Sequence, residues 1–328
     1  MKGNIMKQAK KLSILAVLAF LLISIYISGC KTDNITDPSA QSDDEYLQST
    51  ALNSAFSTDP DDDDNLFATE ISDFDANGAV FNSPIDSLLR WGRRVTNVNI
   101  NTSISNSGDT MKNVIVTRTI TGNFIIIGYV GGNLDSTVKP YTQEQKRLIS
   151  FKRIGRNSRP RENWRVFQYS AIDGETKTPQ TGKSNIVMSK IEFYKNNSLV
   201  LTLNGPDFTT NIFNARRFGG NGSMEVNRGD QVRIKVYATS NQSDTDIVSY
   251  HWARNSFGFH RESFVMTSQV PNGGSFDRTY EKEFNIYGNH HGGMNNAYIS
   301  ANTRSSLYDN SPSLFSSTYM GLPYRVRP

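Results

Sequence analysis

The chain has 328 residues, with 35 Lys and Arg, 31 Asp and Glu, one cysteine and a formal net charge of +4. That length is enough for two ordinary domains with proper cores, and a single cysteine excludes any internal disulfide. The near-neutral sum hides a sharp division. Residues 1–29 carry four lysines and no acid, residues 31–75 carry thirteen acids against Lys31, and residues 76–328 carry thirty bases against eighteen acids.

The first element predicted is a targeting segment. Lys2, Lys7, Lys10 and Lys11 precede an apolar run from Leu12 to Ile27, which ends in Ile27-Ser28-Gly29-Cys30. A basic start, a short apolar stretch and small residues before a cut mark a secretory signal. As a helix, the run would reach roughly 24 Å, short of the roughly 30 Å hydrocarbon layer. The ending resembles the lipobox of bacterial lipoproteins, in which the cysteine is acylated and becomes the first residue of the mature protein. The resemblance implies a signal peptide over 1–29 and palmitate-type lipidation of Cys30. It also implies a membrane-anchored protein of the bacterial cell envelope, facing the periplasm or the cell surface.

Residues 30–75 are expected to form a disordered acidic tether. Few apolar side chains and dense charge cannot offset the entropy of ordering, and repulsion among Asp59 and Asp61 to Asp64 favours extension. A flexible coil of this length spans roughly 35–40 Å. Read as a calcium loop from Asp59, the segment has Glu70 at position twelve but Asp64 at position six, where the turn requires glycine. A solvated linker fits better.

A small α+β domain is predicted over 76–175, one helix on an antiparallel sheet. Ser83-Pro84-Ile85-Asp86 offers a cap, a proline at the first helical position and an acid in the first turn. Ile85, Leu88 and Leu89 then share a helical face, giving a helix to about Arg94. Beyond it the period becomes two, with strands predicted at 98–104, 114–120, 123–131, 147–154 and 164–172. The stretch 173–185 is almost devoid of apolar residues, and a linker is expected over 176–185.

Residues 186–328 read as short strands and turns, the pattern of a β-sandwich. Asn196-Asn197 marks a hairpin between Ile186–Tyr194 and Leu199–Leu203. The segment from Val226 through Arg228-Gly229-Asp230 to Val236 resembles the turn into a strand of immunoglobulin-like bacterial modules. That resemblance implies an immunoglobulin-like β-sandwich with Trp252 as a core tryptophan. The overall expectation is a mainly β protein.

Chemistry-bearing motifs are sparse. His251, His260, His290 and His291 lack the spacing of a zinc site, so no metal or cofactor is implied. There is no G-x-S-x-G elbow, and Gly219-Gly220-Asn221-Gly222-Ser223 lacks the Lys-Ser/Thr ending of a phosphate loop. The adhesion-like tripeptide Arg228-Gly229-Asp230 is read as a tight turn.

The most suggestive patch runs from Lys139 to Arg165. Lys146, Arg147, Lys152, Arg153, Arg156, Arg159, Arg161 and Arg165 form a candidate anionic-ligand surface, interleaved with Tyr141, Phe151 and Trp164. Outside the cytoplasm its partner would be an anionic glycan, a lipid headgroup, a protein or the acidic tether itself, and not nucleic acid. The functional expectation is a non-enzymatic envelope lipoprotein, a binding or structural module contacting protein or glycan. The alternative is a lipid-anchored hydrolase acting on envelope or extracellular polymers.

Overall fold

The computed structural model describes residues 42–53, 70–73, 84–215, 224–254, 258–290 and 292–327. The signal-like segment, Cys30, the Asp61–Asp64 run, the Gly219–Ser223 cluster and His291 lie outside the described residues.

The acidic segment expected to be a featureless tether contains ordered elements. Helix α1 (Asp43–Asn53) starts in a capping box. Ser42 Oγ accepts from the Glu45 N–H at 3.2 Å, and the Glu45 carboxylate accepts from the Ser42 N–H at 2.9 Å. Asp43, Asp44 and Glu45 complement the positive end of the helix. Leu47 and Ala51, one turn apart, are fully buried against Val114, Val116, Ile149, Phe151 and Trp164. Asp44 pairs with Lys112. Two well-placed apolar residues suffice here because the sheet supplies a finished surface for them. Leu47→Asp should therefore release α1. Losing one buried leucine, at about 2 kcal/mol, predicts roughly 30-fold faster amide exchange over 43–53. Unchanged protection there would show that the docking does not depend on Leu47.

The second ordered piece is β1 (Glu70–Asp73), antiparallel to the start of β2. Strands β2 (Ser87–Asn106), β3 (Met111–Val130) and β4 (Asn133–Arg153) form a meander of long strands. The helix expected over 83–94 is thus overturned, and its false signal has a cause. The β2–β3 register shifts between Leu88 and Arg90. The bulge leaves Leu89 exposed and lets Leu88 and Trp91, three residues apart, both face the core. A bulged strand then mimics helical spacing.

After α2 (Pro160–Asn163) come β5 (Trp164–Ser170), β6 (Ile172–Thr178) and α3 (Gly182–Asn185). The expected linker at 176–185 is corrected by these elements. β6 pairs with β4 on one side and with the last strand on the other, so one sheet crosses the boundary expected between two domains. The chain continues through β7 (Ile186–Lys195), β8 (Ser198–Asn204), β9 (Ile212–Asn214), β10 (Met224–Asn227) and β11 (Gln231–Ser240). Then follow β12 (Ile247–Arg254), β13 (Gly258–Ser263), β14 (Val265–Asn272), β15 (Ser275–Asn285), β16 (Gly293–Asn302), α4 (Arg304–Tyr308) and β17 (Ser317–Arg327). The expected hairpin holds: Asn196 and Asn197 both adopt positive φ, 48° and 66°, between β7 and β8.

The protein is mainly β, and its described strands form two sheets. One runs β14-β15-β11-β7-β8; the other runs β1-β2-β3-β4-β6-β17-β16-β12-β13, with β5 and β9 joined through β4 and β10 parallel to β17. The main core lies between them. Ile191, Phe193, Ile234 and Val236 of the smaller sheet meet Val248, Tyr250, Trp252, Ile299, Met320 and Leu322 of the larger. Trp252 is a core tryptophan, as expected.

Strands β12, β16 and β17 are buried on both faces. Their other side chains, His251, Tyr298, Ser300 and Tyr319, face β2 and β4. The ends of the larger sheet, β1 and β13, lie beside each other, so the sheet curls round this second interior. Arg93 joins its walls. It donates to Gln143 at 3.3 Å and Ser317 at 3.4 Å, with its guanidinium over the rings of Tyr298 and Tyr319.

Candidate functional site

A concavity on the larger sheet sits where β4 and β6 pair. Antiparallel register places Lys146 opposite Asp173, Gln145 opposite Gly174 and Glu144 opposite Glu175. Alternation sends Gln143 and Gln145 inward, where both are buried, and leaves Glu144, Lys146, Asp173 and Glu175 on the outer face. Lys183 of α3 and Asp207 and Thr209 of the turn before β9 form one wall, and Ile115 and Leu148 the other. The cleft holds about 440 Å³, within the range of small-ligand sites.

Its charges are cross-linked. Lys183 Nζ lies 2.6 Å from Asp173 Oδ2 and donates to the Pro206 carbonyl at 2.8 Å. Lys177 bonds Glu175 at 2.6 Å, and the Lys183 N–H donates to the other Glu175 oxygen at 3.1 Å. Lys146 and Lys177 lie 3.0 and 3.6 Å from Glu144 Oε1. Burial pushes the Asp173 carboxyl above its ordinary range, against the pull of the Lys183 ammonium. Burial also pushes Glu175 upward, but its hydrogen bonds from Lys177 and the Lys183 backbone hold it below the usual range.

Gly174 matters to this geometry. A Cβ there would overlap the ring of Tyr319, its cross-strand partner. In the neighbouring pair Ile172 lies over Gly321 in the same way. Each glycine makes room for the large side chain opposite, which lets β6 and β17 pair closely with the curled interior filled behind the cleft.

The basic patch read from the sequence is distributed over different surroundings. Arg147 is buried, donating from Nε to the Ser170 carbonyl at 2.9 Å with its guanidinium over Tyr169. Lys139 is also buried, its ammonium donating to the carbonyls of Ser305 and Leu314 at 2.9 and 2.8 Å. Burial lowers it to about 8, opposed in part by the charge of Asp309. Lys146 faces the cleft. At the far end of β4, Lys152 lies over Phe167 and Arg153 over Trp164. Arg156, Arg159 and Arg161 are exposed there, with Arg159 3.7 Å from Glu162. Arg165 donates to the Trp164 carbonyl at 2.8 Å. The structure therefore brings Lys146 and Arg147 to the cleft and leaves the other six at the β4–β5 hairpin end.

Sequence reading passed over Glu144, Asp173, Glu175 and Lys183. The usable signal was the antiparallel pairing of two strands with charges at every second position, but β6 had to be recognised as a strand first. The histidines are structural where described. His251 stacks on Tyr298 at 4.1 Å and lies 2.8 Å from Ser300 Oγ, and His290 lies 3.0 Å from the Tyr324 hydroxyl. Among the described residues no group of three His, Cys, Asp or Glu is placed to hold a metal ion. The Arg228-Gly229-Asp230 segment is a turn, with Gly229 at φ 86° and the Asp230 carboxylate accepting from the Asn227 N–H at 2.6 Å.

No family model matches the chain, and no curated protein matches it. Among solved structures, a GH31 alpha-xylosidase from Xanthomonas citri aligns with 78% of this chain at 8% identity and a TM-score of 0.22. The chain spans 38% of that enzyme's length. Likeness at this level has no bearing on activity.

Proposed function

We propose that the chain is a non-enzymatic lipoprotein of the bacterial cell envelope, anchored through Cys30, whose body is a binding or structural module contacting protein or glycan. The anchor rests on the Ile27-Ser28-Gly29-Cys30 ending of the apolar run. The binding role rests on one observation. The cleft between β4 and β6 presents polar groups on strands paired along both sides, with its carboxylates already tied to lysines. Fixed, mutually neutralised groups on a rigid sheet suit recognition. In this reading residues 186–328 are immunoglobulin-like, supported by the Gly229 turn into β11 and by Trp252 in the inter-sheet core.

A hydrolase acting on polymers is favoured by a different feature. Asp173 is pushed up and Glu175 held down, and the two share one face of β6. Carboxyls with separated pKa values can divide acid and base roles. The expected result separates the readings. The full chain expressed in a bacterial host should fractionate with membranes, and Cys30→Ser should leave them. The purified body should produce no new reducing ends from envelope or plant-type polysaccharides. Membrane retention of Cys30→Ser would remove the lipid anchor from the proposal, and reducing ends lost in Asp173→Asn would replace binding by hydrolysis.

A further inference from the structure

We infer that the cleft between β4 and β6 takes a neutral oligosaccharide, recognised through a vicinal diol held by Glu144 and Lys146; this rests on the binding reading above. Two of the four carboxylates in the cleft, Asp173 and Glu175, are engaged through both oxygens. Asp173 is held by Lys183 and, at 3.5 Å, by the Phe208 N–H. Glu175 is bonded through both oxygens, and Asp207 Oδ1 accepts from the Thr209 N–H and hydroxyl. Glu144 differs. Both its ion-pair contacts, from Lys146 and Lys177, fall on Oε1, and Oε2 accepts no hydrogen bond among the described residues. Lys146 Nζ lies 3.0 Å from Glu144 Oε1, and its side chain is 49% exposed.

The two residues stand two apart on one face of β4, so an acceptor and spare donors sit side by side at the mouth of the cleft. Adjacent hydroxyls on a pyranose ring match that couple: one donates to Glu144 Oε2 while its neighbour accepts from Lys146. Ile115, 41% exposed, and Leu148 pair across β3 and β4 beside them and offer apolar surface to the C–H face of a sugar.

Charge and topology select against other ligands. Glu144, Asp173, Glu175 and Asp207 are matched by Lys146, Arg147 and Lys183, with Lys177 at the rim, so the cleft offers an anionic ligand no net positive charge. A peptide would gain most by pairing its backbone with a strand edge. Neither β4 nor β6 offers one at this place, because β4 lies between β3 and β6, and β6 between β4 and β17. A neutral polyol needs neither an edge nor a net charge.

The test titrates the full chain by calorimetry with malto-, cello-, xylo- and mannohexaose, with an oligogalacturonate of matching length, and with reduced casein as an unfolded polypeptide. At least one neutral hexaose should bind, and its periodate-oxidised form, with the diol carbon–carbon bonds cleaved, should not. Glu144→Gln and Lys146→Met should each weaken binding about ten-fold or more, the effect of deleting a charge-assisted hydrogen bond. Both residues are partly exposed, so melting temperature should stay at the wild-type value and exclude misfolding. Binding of none of the neutral sugars overturns the inference. Binding of oligogalacturonate or casein alone also overturns it, while leaving the wider binding reading in place. A neutral sugar bound equally by both variants moves the site elsewhere and overturns the assignment to Glu144 and Lys146.

Discussion

Replacing Arg278 by methionine should cost about 3–5 kcal/mol of unfolding free energy, the usual penalty for stranding half of a buried ion pair. Arg278 and Asp246 lie 2.8 Å apart with both side chains wholly excluded from solvent. The guanidinium is saturated: it also donates to Gln269 at 2.9 Å and to the carbonyls of Asp244, Gln242 and Ser243 at 2.7, 2.6 and 3.0 Å. The arginine therefore organises the whole turn before β12 as well as neutralising a carboxylate. Without it Asp246 keeps only Ser240 at 3.0 Å and Tyr280 at 3.2 Å.

Burial already pushes the Asp246 carboxyl upward, and loss of the arginine should push it further. A carboxyl raised in the folded state binds more protons there than in the unfolded chain, so it favours folding as pH falls. The deficit of Arg278→Met should accordingly narrow toward acid pH. Adding Asp246→Leu should recover part of the loss at neutral pH, since the charge left behind is then gone. Denaturant titration at two pH values measures all three effects. A deficit under about 1 kcal/mol, the scale of an exposed pair, would show that the pair is not desolvated in solution.

Gly174→Ala should lower the melting temperature by roughly 5–10 °C, from an overpacking penalty of about 2–3 kcal/mol. The added methyl would enter the Tyr319 ring, which is fully buried and braced by the Arg93 guanidinium 5.4 Å from its centre. The ring hydroxyl donates to the Glu144 carbonyl at 3.3 Å, so a displaced Tyr319 would disturb the strand that carries the cleft. Tyr319→Leu in the same chain should relieve part of the clash. Gly288→Ala, where no atom stands within 4 Å of the new methyl, should be nearly silent. Equal melting temperatures for the two alanine variants would show that β6 and β17 do not pack as closely as described.

The mainly β character was legible because alternation at 98–104 and 114–120 and the turns at Asn196-Asn197 and Gly229 reflect local chemistry: side-chain period two, and backbone conformations with positive φ. The failures share another origin, in which the partner lies far away in sequence. Ile85, Leu88 and Leu89 read as one helical face, yet Leu89 sits exposed at a bulge, and a bulge is a relation between two strands. The stretch 176–185 read as a linker because 173–185 holds almost no apolar residues, yet the apolar surface that covers β6 comes from Tyr319, some 140 residues later. The Ser42–Glu45 capping box is a local signal in the chain, but the segment was read by its acidic composition alone. The site followed the same rule. Single residues such as Lys146 were found, and their counterparts on β6 were not, since pairing across strands is not written in either strand alone.

Docking of α1 changes the mechanical meaning of the acidic segment. If Cys30 is lipidated, the stretch separating the anchor from the first docked element is not the 45 residues up to Asp75 but the dozen between Cys30 and Asp43. Fully extended, that is about 40 Å rather than about 150 Å. For a flexible linker the effective concentration falls as about the 3/2 power of its length, so a surface-bound partner would be met at a concentration roughly seven-fold higher. With such an anchor, docking of α1 on β3 and β4 would also bias which side of the protein faces outward.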